Sequence, residues 1–299
     1  MHNLSKTKTF KEILNSSTLE FAMEAHNGLS AKIVENSGFK VIWASGFSIS
    51  SSLGLRDANE ISMTQLTTIV ENMVDVTSIP VFVDGDTGYG NFNNVRLLVR
   101  KLSQFGASGV CIEDKVFPKM NSLTSGLKQE LVTIEEFCGK IKAAKDSSVD
   151  SNFSIIARVE ALIVGESMSE AIKRAEAYRL AGADGILVHS KKPDASEIIE
   201  FTTHWDNRCP LVIVPTNYYK TPTKLFDGAR ISLVLWANAN FRASINSMEK
   251  VSTKMFKEQT LTSVENEICS IDHIFKILDY DELKEAEKKY FDQPLGDKK

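Results

Sequence analysis

Carboxylates carry the strongest chemical signal in the sequence. Asp84 and Asp86 are one residue apart on a glycine-rich stretch, and Glu113 follows the next apolar run along the chain. Hard oxygen ligands of this type suit Mg²⁺. Asp84 and Asp86 alone are equally compatible with a turn whose carboxylates only accept hydrogen bonds from backbone amides. Adding Glu113 favours a metal site at these three residues.

A guanidinium follows a further apolar run. Arg158 comes directly after Ser154-Ile155-Ile156-Ala157, and its five fixed donors could grip a phosphoryl or carboxylate group. The alternative is a buried ion pair with Glu113 or Glu160. The residue types leave both interpretations open.

Two other polar residues are candidates with ordinary alternatives. His189 could donate a hydrogen bond to a substrate, or it could be a core histidine with satisfied hydrogen bonds. Asp57 could be a loop acid, or it could cap a helix that begins near Met63. Spacing does not decide between these interpretations.

Eight short apolar runs must position these side chains. Several of them lack alternation between apolar and polar residues, which is typical of parallel strands covered on both faces. The runs are Phe21–Glu24, Val41–Ala44, Val81–Val83, Gly109–Ile112, Ile155–Val159, Ile186–Val188, Leu211–Val214 and Ile231–Trp236.

Helical patterns separate these runs. One spans Asn94–Phe105, with Asn93 or Asn94 as its cap, and another spans Ser169–Leu180 and ends at Gly182. Eight strand–helix units predict a (β/α)₈ TIM-type barrel of class α/β, with additional C-terminal helices. In such a barrel, chemistry gathers where the strands end, so the candidate residues should meet there.

The chain is predicted to be one barrel domain over residues 1–299. Residues 242–299 form a helical C-terminal extension with an apolar face that includes Ile245, Met248, Val251 and Met255. This face is compatible with oligomerisation and equally with closing the bottom of the barrel.

Composition excludes several functional classes. The sequence has 35 Lys and Arg against 39 Asp and Glu, a net charge of −4 with no basic block, so nucleic acid is not an expected partner. No apolar run is long enough for a membrane span, and residues 1–15 are polar, so we expect no membrane association and a cytoplasmic protein. The four cysteines match no zinc or redox spacing, and we expect reduced, mostly buried thiols.

Several segments together resemble one known family, the phosphoenolpyruvate mutase group of the isocitrate lyase superfamily, over residues 18–260. The matching segments are Glu24-Ala25-His26-Asn27-Gly28-Leu29-Ser30-Ala31, Trp43-Ala44-Ser45-Gly46, Asp84-Gly85-Asp86-Thr87-Gly88-Tyr89-Gly90-Asn91, Glu113–Ser122, Arg158-Val159-Glu160-Ala161 and His189-Ser190-Lys191-Lys192. The stretch from Glu113 to Ser122 distinguishes groups within the superfamily. Its lyases carry Lys-x-Cys-Gly-His where this chain reads Lys119-Met120-Asn121-Ser122-Leu123, so the thiol that acts as general acid is replaced by an amide. The related phosphonopyruvate hydrolases have Thr at the position of Asn121.

The resemblance implies interconversion of phosphoenolpyruvate and phosphonopyruvate, a small-molecule substrate pair. It implies Mg²⁺ bound through Asp84, with Asp86 and Glu113 acting directly or through water. It also implies that Ser45, Gly46 and Phe47 hold the pyruvate carboxylate beside Trp43. The residues it places around the phosphoryl group are Lys119, Asn121, Ser122, Arg158 and His189, with Asp57 as nucleophile or orienting acid.

The resemblance further implies a lid over residues 115–131 and a homotetramer with exchanged C-terminal helices. The lid departs from the family because the Asp-Gly-Arg expected around 125–127 is absent and Lys128 follows instead. A less tightly closed lid would favour hydrolysis. Phosphonopyruvate hydrolase is therefore the first alternative activity, and a 2-oxo acid lyase or oxaloacetate decarboxylase is the second.

Overall fold

Eight parallel strands close into a barrel in sequence order, β1 to β8. The computed structural model describes residues 2–124, 126 and 129–291, and the side chains from residue 6 onward. The strands are β1 Glu20–Ala25, β2 Val41–Ala44, β3 Val81–Asp84, β4 Gly109–Glu113, β5 Ser154–Val159, β6 Gly185–Val188, β7 Leu211–Ile213 and β8 Leu233–Trp236. All eight predicted apolar runs are strands, so the predicted barrel is confirmed.

Helices follow the strands and continue past the barrel. They are α1 His2–Leu14, α2 Gly28–Asn36, α3 Gly46–Ser52, α4 Met63–Asp75, α5 Phe92–Phe105, α6 Ile134–Ser147, α7 Ala161–Val164, α8 Met168–Leu180, α9 Ser196–Trp205, α10 Thr223–Gly228, α11 Ala239–Glu258, α12 Ile271–Ile277 and α13 Tyr280–Phe291, with a 3₁₀ turn at Glu265–Glu267. Contacts within the chain group residues 1–241 into one compact unit and residues 242–299 into another. None of the helices in the described ranges combines the length and apolar character of a membrane span.

Alternation along the strands fills the barrel interior in layers. One apolar cluster inside the barrel includes Val41, Phe82, Cys111, Ile156 and Leu187. The residue two positions further along each strand points the same way, because side chains on a strand alternate between its two faces. These positions are Trp43, Asp84, Glu113, Arg158 and His189. Four of the five are polar, so a polar layer lies above the apolar core at the carboxyl ends of the strands.

Helix α1 contributes an aromatic side chain to the same interior cluster. The Phe10 side chain is fully buried, and its ring stacks on Phe82 with centroids 4.9 Å apart. Gly109 makes this possible, because a Cβ there would lie 3.1 Å from the Phe10 ring and 2.7 Å from the carbonyl oxygen of Ser154. The core below the polar layer therefore depends on residues from outside the strands.

Some local predictions were wrong. Helix α5 begins two residues earlier than expected and is capped by Asn91, whose side chain accepts from the amide of Asn93.

The prediction for the cysteines was also wrong. Of the four free cysteines, Cys111 is buried, Cys138 and Cys209 are half-buried, and Cys269 is exposed. The thiols are therefore not mostly buried, because the latter three lie on or beside outer helices and loops rather than on a strand.

Replacing Phe10 by Ala should remove its packing against Phe82 and leave a cavity in the interior. We expect a loss of about 3–5 kcal/mol in the free energy of unfolding, measured by urea denaturation. Lys8→Ala on the same helix is the matched control, because the Lys8 side chain is 70% exposed and should change stability by less than about 0.5 kcal/mol. Equal effects of the two substitutions would contradict the role given to Phe10.

Candidate active site

Three buried acids lie at the ends of neighbouring strands. Asp84 ends β3, Asp86 lies two residues later, and Glu113 ends β4. The Asp84 carboxylate accepts from the backbone amides of Gly46 and Asp86, each at 3.3 Å. A Cβ at Gly46 would lie 3.2 Å from the Asp84 carboxylate, so the absence of a side chain lets helix α3 approach it this closely. The strand ends thus bring together all three predicted metal ligands.

Glu113 is the least satisfied of these acids. Neither of its carboxylate oxygens accepts a hydrogen bond from any described residue. The nearest cations are Arg158 Nε, 3.3 Å from Oε2, and Lys115 Nζ, 3.8 Å from Oε1. Buried carboxylate oxygens without hydrogen bonds are expected to have a further partner, such as a metal ion or ordered water. The donor chemistry therefore fits a hard cation.

The acids do not by themselves form a finished coordination shell. Within the part of the chain that the structure describes, no three His, Cys, Asp or Glu side chains are arranged as a metal centre. The Lys119 ammonium lies 2.7 Å from Asp86 Oδ1. An ion bound here would share Asp86 with this lysine.

Lys119 also joins the acids to the loop that precedes helix α4. Its ammonium lies 2.8 Å from Asp57 Oδ1, and the Asn121 side-chain amide donates to Asp57 Oδ2 at 2.6 Å. Asp57 is therefore held through both carboxylate oxygens. It does not cap helix α4, because Ser62 does so.

A second ionic cluster centres on Glu160. Arg158 Nε lies 2.5 Å from Glu160 Oε1, and Lys115 Nζ lies 3.0 Å from Oε2. Ser122 Oγ donates to the same carboxylate and accepts from Lys115 and from Arg158 Nη2. Arg158 therefore forms the buried ion pairs considered from the sequence, with Glu160 and with Glu113, and its side chain still lines the cleft.

The His189 ring contacts both Glu160 and Arg158. Its Nδ1 lies 2.8 Å from Glu160 Oε1 and 2.9 Å from Arg158 Nη2. Burial and then Arg158 lower the pKa of His189, so the ring is neutral at neutral pH. A neutral ring carries one N–H. With that proton on Nδ1 the ring donates to Glu160, and with it on Nε2 the ring accepts from Arg158 Nη2, so Nδ1 makes one of these two hydrogen bonds at a time.

Burial and neighbouring charges set the ionisation of the acids. Burial raises the pKa of Asp86 to about 7 against the attraction of Lys119, with repulsion from Asp84, Asp57 and Glu113 adding to the rise, and burial likewise raises the pKa of Asp84. Burial also acts to raise the pKa of Asp57, but Lys119, Asn121 and Arg158 outweigh it and hold that pKa below its usual value. Asp57 is therefore ionised. Asp84 and Asp86 hold their protons more readily than an ordinary aspartate, because two negative charges would repel each other there in the absence of a bound cation.

A cleft of about 870 Å³ opens above these groups. The predicted site residues that line it are Trp43, Ser45, Phe47, Asp57, Asp84, Lys119, Asn121, Ser122, Arg158 and His189. Gly46, Asp86 and Glu113 connect to this lining through Asp84, Lys119 and Arg158. Ser45 caps helix α3, and the amide of Gly46 is directed at Asp84. The structure thus brings every predicted site residue into one region.

Other residues contribute that the sequence did not single out. Asn59 donates to Asp86 Oδ2 at 2.9 Å and accepts from the backbone amide of Lys119 at 2.6 Å. Lys115 pairs with Glu160, which the sequence offered only as an ion-pair partner of Arg158. Arg158 and Glu160 are two residues apart, so both side chains point inward, and this spacing could have predicted their place in the same cluster. Nothing in the spacing around Asn59 indicated its contacts.

The lid begins and ends as a paired ribbon. Lys115 and Leu131 form an antiparallel bridge, and the amide of Val116 donates to the carbonyl of Glu130. Ser125, Leu127 and Lys128, which carry most of the predicted departure from the family, lie outside the described residues.

Comparisons with known proteins agree with this geometry. The family described as phosphoenolpyruvate phosphomutase matches residues 10–256. A phosphoenolpyruvate phosphomutase of Tetrahymena pyriformis is 52% identical over 285 residues, which cover 95% of each chain. The crystal structure of a phosphoenolpyruvate phosphomutase from Streptomyces platensis subsp. rosaceus has a TM-score of 0.92 and 38% identity, and the match covers 95% of this chain and 99% of that one.

A related hydrolase is also similar. The crystal structure of phosphonopyruvate hydrolase in complex with oxalate and Mg²⁺ has a TM-score of 0.89 and 37% identity, covering 96% of this chain and 99% of the other. A family match over most of the sequence, and 52% identity to a member, establish membership. The chain belongs to the phosphoenolpyruvate phosphomutase family.

Proposed function

We propose that this enzyme interconverts phosphoenolpyruvate and phosphonopyruvate by moving the phosphoryl group between the enolate oxygen and C3 of the same pyruvate unit. The observation that carries the proposal is the contact between Asn121 and Asp57. Asn121 occupies the position where the superfamily lyases carry a thiol, and its amide holds an ionised acid in the cleft. This arrangement suits transfer of an anionic group and lacks the proton donor that lyase chemistry uses.

Phosphoryl transfer needs positioning and charge more than covalent help. The transferring group resembles metaphosphate, so surrounding cations and donors stabilise it while water must be kept away. Lys119, Arg158 and the amide of Asn121 line the cleft and supply this environment. Asp57, fixed through both oxygens, either accepts the phosphoryl group or orients it between the two ends of the pyruvate enolate.

Charge balance supports a divalent cation beside these groups. Five buried carboxylates belong to the two ionic clusters and the strand ends, those of Asp57, Asp84, Asp86, Glu113 and Glu160, against three buried cations, Lys115, Lys119 and Arg158. With all five carboxylates ionised, the set is two positive charges short of neutrality, which is the charge of Mg²⁺. Asp84, Asp86 and Glu113 would hold the ion, and it would stabilise negative charge on the carboxylate and enolate oxygens of pyruvate.

The remaining wall suits the pyruvate end of the substrate. Trp43 and Phe47 line the cleft close to Ser45 and Asp84. We assign the pyruvate carboxylate to the amides around Ser45 and Phe47, and the phosphoryl group to the side of Arg158, His189 and Ser122. This orientation directs the phosphoryl group toward Asp57 and Asn121.

We also propose that the enzyme is a cytoplasmic homotetramer that exchanges its C-terminal helices. Two surfaces support the exchange. In the first unit, Phe21 and Trp236 stack with centroids 5.9 Å apart and line a groove together with Phe39. In the second unit, α11 exposes Ile245 and Met248. The apolar side chains of both surfaces would be stabilised by burial in an assembly.

Phosphorus NMR of the full chain with phosphonopyruvate and Mg²⁺ tests the activity. We expect the phosphate-ester resonance of phosphoenolpyruvate to appear and to be abolished by EDTA, because the unbalanced acids need a cation. Inorganic phosphate as the first product would establish the hydrolase instead, and an unchanged phosphonate would remove both activities.

Replacing Asn121 by Thr tests which residue keeps water from the phosphoryl group. Asn121 donates to Asp57 through Nδ2 and accepts from the amide of Leu123 through Oδ1 at 2.9 Å, and the single oxygen of the shorter threonine side chain cannot occupy both positions. We expect the ratio of phosphate to phosphoenolpyruvate to rise by roughly tenfold, on the scale of one hydrogen bond to a charged group. Asn93→Thr, at an exposed helical position, should leave the ratio unchanged. An unchanged ratio in Asn121→Thr would show that Asn121 does not separate mutase from hydrolase.

Sedimentation equilibrium tests the assembly. Wild type should sediment as a particle of four chains, and Met248→Lys should yield smaller species, because a charge would enter the buried apolar face. Glu249→Lys, the adjacent exposed position, is the control for adding charge to the helix. A monomeric wild type would rule out the exchange.

A further inference from the structure

Asn59 connects two parts of the site that otherwise come from different segments. It lies on the loop between α3 and α4, with a left-handed φ of 55°. Its side-chain nitrogen donates to Asp86 Oδ2, and its side-chain oxygen accepts from the backbone amide of Lys119. One carboxamide therefore joins an acid at the end of β3 to the first half of the lid.

We propose that Asn59 is a positioning residue that fixes the lid backbone at Lys119 against the acids of the barrel, and so keeps Asn121, two residues further on, aligned with Asp57. For its effect on product partition, this inference rests on the proposed function. Asn59 acts through Lys119 and Asp86. It supplies no proton or electron pair to the reaction.

The chemistry of the two contacts makes the carboxamide specific. Asp86 Oδ2 accepts from Asn59, and a backbone amide only donates. Asn59 offers one donor and one acceptor group, so Asp86 orients the side chain with its oxygen toward Lys119. Aspartate at this position would have no donor for Asp86 and would add a second negative charge 2.9 Å away.

Lys119 is consequently held from both ends. Asn59 fixes its backbone, and Asp57 and Asp86 pair with its ammonium at 2.8 and 2.7 Å. Without the backbone contact, the flexible lysine could keep its ion pairs while the lid shifted, since the side chain has four rotatable methylenes. Asn121, two residues further on, would then lose its alignment with Asp57.

The loop carrying Asn59 is itself braced. Glu60 accepts from the backbone amide of Arg56 at 2.8 Å and pairs with its guanidinium, and the amide of Ala58 donates to the carbonyl of Arg56. The brace holds residue 59 in a left-handed conformation that Asn, Asp and Gly tolerate best. Substitutions among these three residues can therefore remove the contacts without straining the backbone.

Hydrogen exchange of the full chain, read by mass spectrometry on peptides covering residues 116–123 without substrate or metal, tests the inference. We expect Asn59→Gly, which removes both contacts, to speed exchange at the Lys119 amide by roughly tenfold, and Asn59→Asp, which repels Asp86 but keeps an acceptor for this amide, to speed it less. Asn207→Gly is the matched control, since Asn207 has a φ of 54° and lies exposed on a distant loop. It should leave the lid peptides unchanged.

A second readout separates positioning from loss of fold. With phosphonopyruvate as substrate, Asn59→Gly should raise the proportion of inorganic phosphate in the product by severalfold and raise KM, while the urea midpoint stays close to that of Asn207→Gly. Unchanged exchange at Lys119 in both Asn59 variants would overturn the inference, and so would an unchanged product ratio together with unchanged KM. If wild type did not convert phosphonopyruvate at all, the proposed function would fail, whereas the exchange measurement would still decide whether Asn59 fixes the lid.

Discussion

A buried charge needs an opposite charge or a hydrogen bond nearby, and this constraint organises the carboxyl end of the barrel. Asp57 and Asp86 share Lys119, and Glu160 shares Lys115 and Arg158. Asp84 and Glu113 lie between these two clusters and have only backbone amides or more distant cations. The incompletely neutralised acids are therefore two of the three that the sequence suggested as metal ligands, the third being Asp86, which pairs with Lys119.

Each ionic cluster also anchors part of the lid. The Lys119 cluster attaches the lid to the loop before α4, and the Glu160 cluster attaches it to β5 through Lys115 and Ser122. The groups that would face a phosphoryl anion are thus the same groups that keep the lid in place.

A third set of contacts, centred on Asp114, stabilises the position of Glu160. The Asp114 carboxylate accepts from the backbone amide of Glu160 at 2.9 Å and from the Tyr178 hydroxyl at 2.7 Å, and it pairs with Arg174. Arg174 also donates to the carbonyl of Val132, just after the lid. Helix α8 therefore braces both the strand that presents Arg158 and the returning end of the lid. Rigid support of this kind keeps facing catalytic groups at a fixed separation.

The sequence by itself determined the barrel and the layer of the site that belongs to the strands. Apolar runs and their alternation are local patterns, and they placed Asp84, Glu113, Arg158 and His189 at neighbouring strand ends. The resemblance of the segment from Glu113 to Ser122 added the lid residues. Helix caps were less predictable, because several asparagines near the start of α5 were chemically equivalent candidates and only backbone geometry selected Asn91.

Tertiary structure alone decided which charges meet. Asn59 lies 27 residues from Asp86 and 60 residues from Lys119 along the chain, yet it bonds to both. Arg158 pairs with Glu160 and Glu113 together, although the sequence presented these acids as alternatives. Such contacts depend on how loops fold back over the barrel and on separations of a few ångströms. Periodicity along the chain does not encode these separations, because an ion pair forms wherever packing brings opposite charges together and excludes water.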